Sequence, residues 1–207
     1  MERCLALPPA VAIAVIPHLR ASARVAREAH ARGFDVLLHQ PMEPRDFPMV
    51  NPGKYGIYLW QSPEEVAAIL HENISSLGVS VSGVNNHMGS RATEHEPLLN
   101  AFFDAFPRHL IFIDSRTSTE SIAYRVARSR GVAALRNNVF LDAATDRVSI
   151  ERSFDQMIRI AQKRGFAVAI GHVQTAETIS VLEDRLPRLA ESSVRLVRIR
   201  ELAGGNG

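Results

Sequence analysis

The sequence predicts one α/β domain over residues 1–207, with a parallel sheet covered by helices. Three observations carry this expectation. Short β-branched apolar runs alternate strictly with stretches of helical period, which is the pattern of β-α crossover units. The strand runs are almost continuously apolar, as strands buried on both faces are. Gly33, Gly78, Gly131 and Gly165 each stand between a helical stretch and the next strand, where a left-handed residue closes a helix in a tight turn.

Strands are expected at Val11–Ile16, Phe34–Leu38, Val79–Val84, Leu110–Ile113, Val132–Leu135, Phe166–Ile170 and Val194–Ile199. Helices are expected at Ser22–Ala31, Pro63–Ser76, Glu94–Phe106, Thr119–Ser129, Ile150–Arg164 and Ala176–Glu191. Ser62-Pro63-Glu64-Glu65 supplies a Ser cap, a Pro at the first helical position and a Glu three residues after the cap, and Thr93-Glu94-His95-Glu96 repeats the spacing. Seven strands fall one short of a complete eight-stranded barrel. No Gly-rich dinucleotide or P-loop sequence follows any of them, so a β/α barrel, complete or partial, is favoured over an open doubly wound sheet. The connection Gln40–Gln61 carries Pro41, Pro44, Pro48, Pro52 and Gly53, and its length predicts a functional loop or lid rather than a plain surface excursion.

Composition excludes several classes. Hydrophobic residues make up 46% and charged residues 22%, as in ordinary globular proteins, and the net charge is only +2. Arg20, Arg24, Arg27 and Arg32 lie spread along one helical stretch without a basic run, so no nucleic-acid surface is expected. A single cysteine, Cys4, makes neither a disulfide nor a thiolate metal site. The apolar stretch Ala10–Ile16 is too short to span a membrane, and no signal peptide is read in the sequence.

In parallel β/α folds ligands sit at the carboxyl ends of the strands. The residues found there form a polar set. His39 follows the second expected strand, Asn85-Asn86-His87 the third, Asp114-Ser115-Arg116 the fourth, Arg136 the fifth and His172 the sixth, while Pro17-His18 ends the first. His39 and His87 are candidate ligands of a divalent metal, although a catalytic zinc normally takes three protein ligands. Asp114 could complete that set, fix a histidine tautomer or orient Arg116. His172, beside a glycine that would let substrate approach, suits a general acid. Asn85, Asn86, Arg116 and Arg136 are candidate substrate-binding donors. His30, His71, His95 and His109 fall on or near helices and read as surface or helix-terminus residues.

At these strand ends the chain resembles the divergent polysaccharide deacetylases, a branch of the NodB-like carbohydrate esterases. The resembling stretches include Ala14–Pro17, Gly33–Pro44, Gly83–Arg91 with Asn-Asn-His-Met-Gly-Ser, Phe112–Ser118, Val139–Asp142 and Ala169–His172, in the family's order over nearly the whole chain. The resemblance implies a distorted (β/α)7 barrel, a zinc-type metal held by His39 and His87, Asp114 and His172 in the cleft, and hydrolysis of acetyl groups on a glycan. It also suggests an exported or periplasmic protein. One departure stands out: family members begin with a strand ending in paired aspartates, and no Asp-Asp pair occurs here. The expectation is therefore a barrel incomplete at its N-terminus. It is either a metal-dependent deacetylase or an inactive glycan- or partner-binding module, and its open edge would be able to pair with a second copy.

Overall fold

The computed structural model describes residues 2–204. Five parallel strands form one sheet in sequence order, β1 (Ile13–Val15), β2 (Val36–Met42), β3 (Gly83–Met88), β4 (Ile111–Asp114) and β5 (Ala134–Arg136). A second parallel pair, β6 (Val139–Phe140) and β7 (Ala169–Ile170), follows. The parallel α/β class is as expected, but among the described residues the two sheets do not close into a barrel.

The helices are α1 (Ser22–Ala31), α2 (Pro63–Ser76), α3 (Glu96–Asp104), α4 (Ala123–Ser129), α5 (Arg147–Arg164), α6 (Ala176–Arg185) and α7 (Ile199–Gly204). Local chemistry explains their limits. At α2 the expected capping box forms: Ser62 Oγ accepts from Glu65 N, and Ser62 N donates to the Glu65 carboxylate at 2.7 Å. At α3 it does not, because Thr93 Oγ1 donates to the Gly89 carbonyl instead and the His95 ring accepts from Leu98 N at 3.2 Å. Asp146 caps α5, which starts before the expected Ile150.

Period-two alternation sorts the main sheet into two faces. Val36, Leu38, Val84 and Phe112 pack on the side of α1 to α4, with Val25, Leu70, Phe102 and Val126 in one core. Phe102, Phe103, Phe106 and Phe112 interlock there, with Phe103 and Phe112 edge to face at 4.9 Å. Leu37, Ile111, Ile113 and Leu135 face the other way and are covered by Ile199 and Leu202 of α7. This overturns the expected strand at Val194–Ile199: Val194 and Leu196 pack on the α5–α6 cluster, and the chain then coils into α7 across the inner face. Arg198 and Arg200 pair there with the buried Asp35 carboxylate. The count of seven strands is kept because β6, two residues long and too short to show a period, takes the place of the misread one.

Candidate functional site

Inner-face residues reach the carboxyl rim beyond the apolar layer. Two residues past Leu37 stands His39, and past Gly83 on the same face stand Asn85 and His87. Register places His39 beside Asn85 and Pro41 beside His87. The two imidazoles meet: His39 Nε2 and His87 Nδ1 lie 3.1 Å apart, with ring centroids 4.8 Å apart.

Their protonation follows from the neighbours. Asn85 Nδ2 donates to Ser115 Oγ at 3.1 Å, which turns Asn85 Oδ1 toward His39 Nδ1, also at 3.1 Å. Nδ1 of His39 therefore carries the hydrogen and Nε2 presents a lone pair to His87. Burial, then the nearby His87 ring, lower the His39 pKa to about 3. Burial and the more distant His172 ring lower that of His87. At this distance His87 Nδ1–H can donate to the His39 Nε2 lone pair, and loss of that one hydrogen would leave both nitrogens open to a metal ion. A separation of 3.1 Å also fits two nitrogen ligands each about 2.0–2.1 Å from one zinc. Among the described residues, however, no group of three or more His, Cys, Asp or Glu side chains converges to hold an ion.

Across the rim, His172 belongs to a second constellation. Its Nδ1 bonds Asp142 Oδ1 at 2.8 Å, its backbone N donates to Asp142 Oδ2 at 2.6 Å, and Thr178 Oγ1 donates to that same oxygen at 2.8 Å. The carboxylate is buried while the imidazole is half exposed. The Asp142 hydrogen bond outweighs partial burial and raises the His172 pKa. Burial opposes ionisation of Asp142, but its bonds from His172 and Thr178 prevail and keep it below the usual carboxylate range. The His172 ring is near enough to both His39 and His87 to oppose their protonation. Gly171 serves packing rather than substrate approach, since a Cβ there would lie 2.6 Å from Thr178 Cγ2.

The family model for divergent polysaccharide deacetylases matches residues 1–203. The chain belongs to that family. The chain is 34% identical over 198 residues to an uncharacterized protein of Haemophilus influenzae, covering 95% of this chain and 69% of the relative. It is also 32% identical over 189 residues to the uncharacterized protein YibQ of Escherichia coli, covering 91% of this chain and 58% of that one. A crystal structure of an uncharacterized protein from Agrobacterium tumefaciens C58 superposes with a TM-score of 0.89 at 24% identity, over 97% of this chain and 82% of that one. That likeness concerns the fold.

In this family member the remaining predicted residues take other positions. Asp114 shares the parity of Phe112 and so faces the helices, where its carboxylate accepts from Arg116 N, Ser121 Oγ and Tyr124 N and shapes the turn into α4. It is a loop-fixing group and is not gathered with the histidines. Asn86 is likewise on the helix side and fully buried, accepting from Ser115 N and donating to the Met88 carbonyl. Arg136 lies over the Tyr124 ring at 5.6 Å, and Arg116 is exposed beyond the turn. His18, unassigned from sequence, stacks on Tyr55 at 3.5 Å and bonds Asn73 Oδ1 at 2.9 Å. His18, Met88 and Arg116 adopt positive φ at the ends of three strands, a clustering of strained backbone at one rim that is typical of functional sites. Asp142 closes the resembling stretch Val139–Asp142, and the sequence alone assigns it no role. Its signal in the sequence is only an acid just past the apolar run Val139–Leu141.

Proposed function

We propose that this protein hydrolyses acetyl groups on a glycan with the help of a divalent metal, zinc among ions that accept imidazole, held in part by His39 Nε2 and His87 Nδ1. The carrying observation is the 3.1 Å approach of two imidazoles on one rim, with a carboxylate-backed His172 of raised pKa on the same side of the fold. A metal bound there would supply Lewis acidity and an activated water. The protein's own groups do the rest. Asn85 fixes the His39 tautomer so that Nε2 stays free, as partners behind metal-bound histidines do. Asp142 holds His172 through Nδ1, which leaves Nε2 outside that pair and able to carry a proton to substrate. Hydrolysis of an N- or O-acetyl group adds hydroxyl to the carbonyl carbon and a proton to the leaving nitrogen or oxygen, and His172 is the donor placed for that proton.

Only two metal-binding side chains converge among the described residues, and this favours a second reading: a glycan-binding module that keeps the cleft without turnover. The chain spans 69% and 58% of the two relatives, so the activity of a whole protein belongs to the proposal as well. Acetate release from acetylated chitooligosaccharides and from peptidoglycan fragments, measured with added zinc and again after chelation, separates the two. Release that zinc supports and chelation stops is expected. Binding without release under both conditions would establish the silent module instead.

A further inference from the structure

The 43–61 loop displays an aromatic surface that the cleft does not use. Tyr58 and Trp60 stack at 4.3 Å and 21°, and Phe47 closes against both at 5.2 and 5.3 Å. One indole face thus rests on Tyr58, yet Trp60 remains 63% exposed, so its other face is open to water. The loop is held, not loose. Glu43, buried, accepts from Leu59 N at 2.8 Å and pairs with Arg91 at 2.7 Å. Glu43 N donates to the Ile57 carbonyl, Ile57 N donates to the Pro41 carbonyl, and the Gln61 side chain accepts from Tyr58 N. Ring and backbone are therefore pre-ordered, and an exposed aromatic on a pre-ordered loop marks a binding surface.

We propose that the open face of Trp60 stacks on a pyranose ring of a glycan chain, at a subsite removed from the reacting acetyl group. This rests on the glycan reading above and extends it to a polymeric substrate. Placement supports it: Ile57 bridges to Met42, three residues past His39, and Trp60 lies three residues past Ile57. At about 3.3 Å per residue and about 4.8 Å between strands, the ring stands within roughly 25 Å of the imidazoles, a span of a few sugar units. The open, flat indole face, backed by Tyr58, matches the apolar C–H face of a sugar ring. A protein interface would need on the order of 1,000 Å² of contact. Stacking on a remote unit would also hold the chain in register for reaction.

Trp60 is the sole tryptophan, so its emission reports the event directly. The full chain is titrated with N-acetylglucosamine, with N-acetylchitohexaose and with soluble peptide-free peptidoglycan strands. Expected are a saturable emission change with one of the polymers and none with the monosaccharide at equal concentration. Trp60→Ala, checked for folding by circular dichroism, should weaken calorimetric binding of that polymer at least tenfold. No emission change with either polymer, unchanged binding by Trp60→Ala, or an emission change that follows protein concentration alone through self-association would each overturn the subsite. An emission response without acetate release keeps the subsite and removes the hydrolytic reading. Acetate release with no emission response does the reverse.

Discussion

His172→Gln is expected to lower kcat for acetate release by about 10²–10⁴, the usual contribution of a positioned proton donor, while leaving zinc affinity nearly unchanged. The ring is half exposed and is not one of the two converging nitrogens, so its loss removes the proton and little else. Asp142→Asn should act through it. With the carboxylate gone, the largest influence raising the His172 pKa disappears. The alkaline limb of the kcat–pH profile, where the acid loses its proton, should then move to lower pH, whereas a merely structural role would lower kcat at every pH without moving the limb. Kinetics of both variants between pH 5 and 9 check this.

The second large effect is on stability in acid. His39 is ionisable near 6.5 in the unfolded chain but only near 3 in the folded one. As pH falls below the unfolded value, the unfolded state binds a proton that the folded state refuses, so stability declines through that window and levels off below the folded value. At about 1.4 kcal/mol per unit, the metal-free protein should lose on the order of 3 kcal/mol between pH 6.5 and pH 4 from this residue. The shift of His87 has the same sign and adds to the loss. His172 is opposite, because its raised pKa contributes stability that is present below the unfolded value and lost as pH rises through the folded one, and its exposure keeps that term small. Urea unfolding of chelator-treated protein at a series of pH values should show the acid slope reduced in His39→Gln. An unchanged slope would show that the ring is not buried neutral.

The sequence made the histidines easier to find than their partners. His39 and His87 close apolar runs whose alternation already points them to one face, and their strands pair directly. Asp114 also ends a strand, but counting by twos from Phe112 puts it on the helix side. The same count assigns Asn86 to the interior, so both placements were available from period alone. Asp142 was harder, because β6 spans two residues and gives no period to count from. The Gln40–Gln61 connection was recognisable by length and proline content, whereas the stacking of Tyr58 on Trp60 depends on Glu43 reaching Leu59, a contact no local pattern announces. The C-terminal run alternates well enough to resemble a strand, and only the open inner face of the sheet explains why it becomes a cover.

No described helix is long and apolar enough to cross a membrane. The decisive measurement is crystallographic. Anomalous diffraction at the zinc edge, from crystals grown with equimolar zinc, should give one peak bonded to His39 Nε2 and His87 Nδ1 that vanishes in His87→Ala. A peak bound elsewhere, or one that survives that substitution, would contradict the account.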